Sequence, residues 1–168
     1  YVSESNYFAF NLIDNWPRWE KKIVNISGEN FSGKTHLANI FKLKSSALFL
    51  TENKINNENF KKIKLYENII VDGFSNNVDE NLIYSLFNLV DQDSKYLLIF
   101  SETPLGEINF KLPDLVSRAR NLLYAKINPP DDDLIFAIIL KNFSDRQIRL
   151  EKKIIEFIIK RIDRSYSK

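Results

Sequence analysis

Short continuous apolar runs alternate along most of the chain with segments whose apolar positions recur every three or four residues. The runs Ile23–Ser27, Ala47–Thr51, Asn68–Asp72, Tyr96–Ser101 and Leu122–Ile127 are read as strands, being too short and too uniformly apolar for surface helices. Helical spacing predicts elements at Asn6–Asp14, at Lys34–Lys44 through Leu37, Ile40 and Phe41, and behind Asp79 through Leu82, Ile83, Leu86, Phe87 and Val90. Asp79 is a natural N-cap for the last of these. A short helix is predicted at Leu112–Ala119, another at Leu134–Phe143, and a final amphipathic one through Leu150, Ile154, Ile158 and Ile162. Pro17 ends the first helix by biasing Trp16 away from helical geometry. Glu52–Glu67 is polar and lysine-rich and reads as loop with one helical turn.

Strands alternating with helices predict an α/β fold with a parallel sheet covered on both faces, and strands buried on both faces read as unbroken apolar runs. Pro129-Pro130 followed by Asp131, Asp132 and Asp133 makes a break and a capped helix start. It divides an α/β domain, residues 1–128, from a helical segment, residues 129–168. The acidic triplet is read as helix capping, with negative charge favoured at a helix N-terminus, and not as a metal site.

Composition narrows the chemistry. The 168 residues contain no cysteine, which excludes disulfides, thiolate metal sites and thiol nucleophiles. A single histidine, His36, makes a Ser-His-Asp triad improbable. The longest apolar run, Leu134–Leu140, is far shorter than the ~20 residues of a membrane span. No signal peptide opens the chain, so a cytoplasmic protein is expected. The first residue is Tyr1 and not methionine, which leaves open whether further residues precede it. A net charge of +2 is small for a dedicated nucleic-acid binder.

The sharpest chemical signal is Gly28-Glu29-Asn30-Phe31-Ser32-Gly33-Lys34-Thr35, which fits G-x-x-x-x-G-K-[ST] between a predicted strand and a predicted helix. Amide groups along Asn30, Phe31, Ser32 and the two glycines would wrap phosphates, helped by the positive end of the helix dipole. Lys34 would reach the outer phosphates, and the Thr35 hydroxyl would bind Mg²⁺. Asp72, closing the apolar run Asn68–Val71, is the expected second metal-side group. Hydrolytic sites of this kind usually carry another carboxylate immediately after that aspartate. Here the position is Gly73, so weak intrinsic hydrolysis is expected.

With these features together, the chain resembles the DnaA-related AAA+ proteins, and within them the Hda group of regulatory inactivators of the bacterial replication initiator DnaA. The resemblance rests on the opening segment Tyr1–Asn6, on Leu12-Ile13-Asp14-Asn15-Trp16-Pro17, on Gly33-Lys34-Thr35-His36-Leu37, on Ser101-Glu102-Thr103-Pro104, on Leu112–Arg118 and on Pro129-Pro130-Asp131-Asp132. It implies a three-layer P-loop sandwich of five parallel strands followed by the start of a helical lid. It further implies adenine nucleotide, ADP or ATP, with Mg²⁺. His36 would lie near the phosphates, or serve only as a helix-start residue. Ser101 or Glu102 would sense the γ-phosphate, and Arg118, on the surface, would be an arginine finger acting in trans on the ATP of a DnaA partner.

The departures from that pattern carry expectations too. The stretch between Thr51 and Asn68 is shorter than the DnaA segment that helps bind single-stranded DNA, and no duplex-reading helix-turn-helix follows the lid. Weak or no direct DNA binding is therefore expected. A clamp-binding peptide of the Hda type would either precede Tyr1 or not exist. The sensor II position falls near Arg161, Arg164 or Ser167. A homo-oligomer is left open. The rival readings are a DnaA-type initiator or helicase-loader ATPase that assembles on DNA and, more weakly, a metabolic P-loop kinase. Trp16 and Trp19 are read as packing residues, and Phe60-Lys61-Lys62-Ile63-Lys64 as a solvated loop with two apolar anchors.

Overall fold

A computed structural model describes residues 2–75, 77–161 and 165. Its elements run α1 (Tyr7–Asn15), β1 (Ile23–Ser27), α2 (Lys34–Ser45), β2 (Leu48–Thr51), α3 (Asn57–Ile63), β3 (Asn68–Phe74), α4 (Glu80–Gln92), β4 (Tyr96–Ser101), α5 (Pro113–Arg120), β5 (Leu123–Lys126), α6 (Asp132–Asp145) and α7 (Lys152–Ile159). Single 3-10 turns sit at Glu52–Lys54 and Leu105–Glu107.

All strand pairings are parallel, in the order β2-β3-β4-β1-β5. Side chains alternate across each strand and so feed two cores. On one face Ile23, Ile69, Val71, Leu97 and Ile99 meet Ile83, Leu86, Phe87 and Val90 of α4 and Leu115 of α5. On the other, Val24, Ile26, Ile70, Leu98 and Phe100 meet Ala9 and Ile13 of α1 and Leu37 and Phe41 of α2. The result is a three-layer α/β/α sandwich with the five predicted strands at its centre.

The expected packing role of the tryptophans holds in the second core. Trp19 stacks on Phe41 with ring centroids 5.3 Å apart and donates its indole N–H to the Leu12 carbonyl at 2.6 Å. Trp16 meets Phe41 and Tyr96 edge-on. Both predicted caps are present: the Asp79 carboxylate accepts from the Asn81 amide at 2.9 Å, and that of Asp131 from the Leu134 amide at 2.7 Å.

Three local differences from the sequence expectations have physical causes. The lysine-rich stretch after Thr51 forms a full helix, α3, because Asn56 caps it by accepting from the Asn59 amide at 3.0 Å and Ile63 is buried beneath it. Strand β3 runs two residues past Asp72 to Phe74, through a bulge: Val71 pairs with Ile99, but Phe74 pairs with Ser101. Gly73 absorbs the extra residue at φ +72°, a left-handed conformation that glycine adopts without steric cost. The final helix, read through Leu150, Ile154, Ile158 and Ile162, begins only at Lys152, because Glu151 before it is extended (φ −68°, ψ 140°); as α7 it ends at Ile159, and Ile162 lies outside the described residues.

Candidate functional site: a phosphate-loop cleft at the strand ends

Every residue of the predicted phosphate site stands at the carboxyl ends of the strands, where α/β sheets place their ligands. Strand β1 feeds directly into the loop, and the Gly28 amide donates to the Ser101 carbonyl of β4 at 3.1 Å. The loop is compact, and its glycines are sterically required. A Cβ on Gly28 would lie 2.7 Å from Ser32 Oγ and 3.0 Å from Ile127 Cβ. Gly33, the residue before α2, has φ +88°. Phe31 also takes a positive φ of 64° and leaves its ring exposed, and the Ser32 amide donates to the Glu29 carbonyl at 3.3 Å, so the loop turns tightly.

Lys34, at the first turn of α2, donates from Nζ to the carbonyls of Gly28 and Glu29, both at 2.7 Å, which carries its charge back across the loop. Burial pushes its pKa below the ordinary 10.5, and the nearby carboxylates of Glu102, Asp72 and Glu29 oppose that shift. Next to it, the Thr35 hydroxyl donates to Asp72 Oδ2 at 2.8 Å. The two residues expected to share a metal ion, distant in sequence, are therefore in contact. The Ser32 hydroxyl is buried in the loop with no hydrogen-bond partner among the described residues.

These groups fit a Mg²⁺-nucleotide. Lys34 and the loop amides would supply positive charge for phosphate oxygens, and Ser32 an unused hydroxyl. Thr35 and Asp72 are hard oxygen donors of the kind Mg²⁺ takes, usually one or two from protein with the rest from phosphate and water. Among the described residues no cluster of three or more acidic or histidine side chains forms a self-sufficient metal cage.

A cleft of about 500 Å³ opens in front of the loop. Asn30, Lys34 and Gly73 form one side, and Glu102, Thr103, Glu107, Ile108 and Asn109 the other. Glu102 and Ser101 part company here. Ser101 is buried in the sheet and accepts from Asn25 Nδ2 at 2.9 Å, whereas Glu102 stands exposed on the cleft wall. His36 is exposed on α2. On the other flank of the loop, Val2, Ser5 and Tyr7 line a second cleft with Asn128, Pro129 and Asp131. Asp131 also ties this flank together by accepting from the Ser5 amide at 3.3 Å.

Arg118 does not project freely from the surface as expected. Its side chain is 24% exposed, donates to Asn88 Oδ1 at 2.6 Å and pairs with the Asp91 carboxylate. Its guanidinium lies 5.3 Å from the Phe87 ring centroid, so α4 holds it with one carboxylate, one carboxamide oxygen and a ring face. Arg120, two residues on, is exposed. Of the three sensor II positions, Arg164 and Ser167 lie outside the described residues; Arg161 leans over the Phe157 ring at 3.7 Å. The opening residue Tyr1 is likewise outside them.

Sequence reasoning missed Asn25. It is 1% exposed in the middle of β1, and it donates to the Ile99 carbonyl and to Ser101 Oγ while accepting from the Leu105 amide. Its signal was a lone amide inside the apolar run Ile23–Ile26.

The loop sequence, the strand order and the likeness to solved structures define a P-loop NTPase fold of the AAA+ type. The particular likeness is to solved structures of the replication initiator DnaA. A DNA replication initiation factor superposes with a TM-score of 0.80 at 18% identity, over 99% of this chain and 59% of its own. DnaA bound to AMPPCP and single-stranded DNA matches with a TM-score of 0.76 at 19% identity, over 99% and 59%. Domain III of DnaA from Thermotoga maritima gives 0.71 at 20% identity, over 99% and 80%. The chain thus spans about six tenths of the length of the first two. No protein-family model matches it, and no curated protein does. No helix among the described residues is long and apolar enough to cross a membrane.

Proposed function

We propose that this chain is an adenine-nucleotide-binding AAA+ regulator of chromosomal replication initiation, which acts on DnaA to promote hydrolysis of its bound ATP. The observation that carries the reading is the Thr35–Asp72 contact beside an intact phosphate loop, in a fold shared with a DnaA that binds AMPPCP. The phosphates would lie on the loop amides with Lys34 over the outer ones. Mg²⁺ would be held by Thr35 and Asp72 and would neutralise phosphate charge. The base would enter the second cleft, between the Val2–Tyr7 segment and Pro129. Glu102 would face the γ-phosphate end with a negative charge, which disfavours ATP relative to ADP and supports Mg-ADP as the resting ligand. Arg118 would supply positive charge to the partner's transferring phosphate once released from Asp91 and Asn88.

The rival is a DnaA-type initiator or helicase loader that assembles on DNA, as the DNA-bound DnaA structure does. The compact connection from β2 to β3, one 3-10 turn and the short helix α3, favours the regulator. The deciding experiment measures ATP hydrolysis by cognate DnaA with and without this protein, on DNA loaded with the replication clamp. Accelerated hydrolysis supports the regulator. No acceleration, together with tight DNA binding by this chain, supports the initiator.

A further inference from the structure

One wall of the nucleotide cleft depends on a side chain that never enters it. The wall begins where the chain leaves β4 at Ser101, turns at Glu102-Thr103-Pro104 and continues through the 3-10 turn Leu105–Glu107. A turn at a strand exit is normally the loosest part of a cleft, because its amides have no ladder partner. Here the Leu105 amide is held by Asn25 Oδ1 at 3.0 Å. The same carboxamide donates from Nδ2 to the Ile99 carbonyl at 3.1 Å and to Ser101 Oγ at 2.9 Å. Asn25 therefore grips β4 on the near side of Glu102 and the chain on its far side, leaving the short loop between the two grips to project into the cleft.

A buried carboxamide in a central strand is costly unless its bonds are made. An apolar residue would serve the sheet as well, since Val24 and Ile26 beside it do so. The three bonds of Asn25 all go to the segment that ends in the cleft wall, so what they supply is the placement of that wall.

We propose that Asn25 is a positioning residue for nucleotide discrimination: it fixes the turn that presents the Glu102 carboxylate to the γ-phosphate end of the cleft. The inference rests on the nucleotide-binding reading above. Glu102→Gln should shift the ratio of ATP to ADP affinity toward ATP by about five- to tenfold, the scale of one screened charge contact. Asn25→Leu, which removes all three bonds while keeping the volume, should shift the ratio in the same direction. In the Asn25→Leu, Glu102→Gln double variant the second change should add nothing further, because both remove the same charge from the same place.

The test measures Mg-ADP and Mg-ATP affinities calorimetrically for the wild type, both single variants and the double. Ile83→Ala, which destabilises the core beneath α4 away from the cleft, serves as a control and should leave the ratio unchanged. Additive shifts in the double variant, or a shift with Ile83→Ala as large as with Asn25→Leu, would overturn the proposal, since Asn25 would then act through general stability. If Asn25→Leu does not fold, amide exchange in the wild type decides. The Leu105 N–H should be protected to nearly the level of β4, and free exchange there would also overturn the proposal. Loss of all nucleotide binding in the wild type would instead refute the underlying reading, and an inert Glu102→Gln with binding intact would refute the charge assignment to Glu102.

Discussion

The hydroxyl of Thr35 and the carboxylate of Asp72 are 2.8 Å apart although 37 residues separate them in the chain. The contact places a helix N-terminal hydroxyl against the carboxylate near the end of β3, the arrangement a phosphate-bound Mg²⁺ requires. Asp72→Asn keeps the shape and removes the charge. Nucleotide affinity in this variant should become nearly independent of Mg²⁺, whereas the wild type should lose affinity when Mg²⁺ is chelated. Titrating nucleotide with and without EDTA measures both. Equal Mg²⁺ dependence in the two proteins would remove Asp72 from the metal site.

Lys34 carries a charge that is partly desolvated and held by two backbone carbonyls. Lys34→Ala should weaken ADP and ATP binding by about ten- to a hundredfold, the scale of one charge-assisted contact. The rise in melting temperature that saturating nucleotide gives the wild type should largely vanish, because that rise follows from binding to the folded state alone. An undiminished thermal shift would place the phosphates elsewhere.

Gly73 was expected to mark a missing carboxylate, and its φ of +72° adds a reason for its identity. Restoring the carboxylate as Gly73→Asp forces a side chain into left-handed backbone, at a cost of about 1 kcal/mol. A lower denaturation midpoint is expected in this variant, and any gain in ATP hydrolysis would come against that loss. A more stable Gly73→Asp protein would show that the bulge is relaxed in solution.

For Arg118 the structure makes a divided expectation. Arg118→Ala should lose the stimulation of DnaA's ATP hydrolysis while keeping nucleotide affinity. It should also cost about 1 kcal/mol of stability, because the side chain is tied to Asn88 and to a largely exposed Asp91. Asp91→Ala frees the guanidinium without removing it, and should stimulate DnaA at least as well as the wild type. Arg120→Ala should be neutral in both assays. Stimulation that survives Arg118→Ala but fails in Arg120→Ala would transfer the finger to the exposed arginine.

With a net charge of +2, the chain should bind DNA no more tightly than about 10⁻⁶ M at physiological salt, with affinity falling steeply as salt rises. Fluorescence anisotropy on single-stranded and duplex oligonucleotides checks this. Tight, sequence-dependent binding would favour the initiator reading.

The features legible in the sequence were those whose signal is local. The phosphate loop, the five apolar strands and the Asp79 and Asp131 caps each occupy a few consecutive residues, and each appears where the pattern put it. Asp72 stood out as a carboxylate closing an apolar run in a chain with a phosphate loop, where it could equally cap the strand exit; its contact with Thr35 is what the structure adds. The environment of Arg118 was not, since its partners Asn88 and Asp91 come from another helix, 30 and 27 residues away. Asn25 was hidden for the same reason: its bonds reach 74 to 80 residues along the chain. The helix α3 was missed because its apolar side is narrow, and capping by Asn56 decides the matter where periodicity does not.

The cleft wall that starts at Glu102 does not end at Asn109. Two residues later the amides of Lys111 and Leu112 bond the Glu80 carboxylate, at 2.9 Å each, and α5 begins at once. Helices α4 and α5 are thus clamped at one end by Glu80 and at the other by Arg118 on Asn88 and Asp91. The cleft wall and the arginine thus lie at opposite ends of one short helix, fastened at both to the same neighbour.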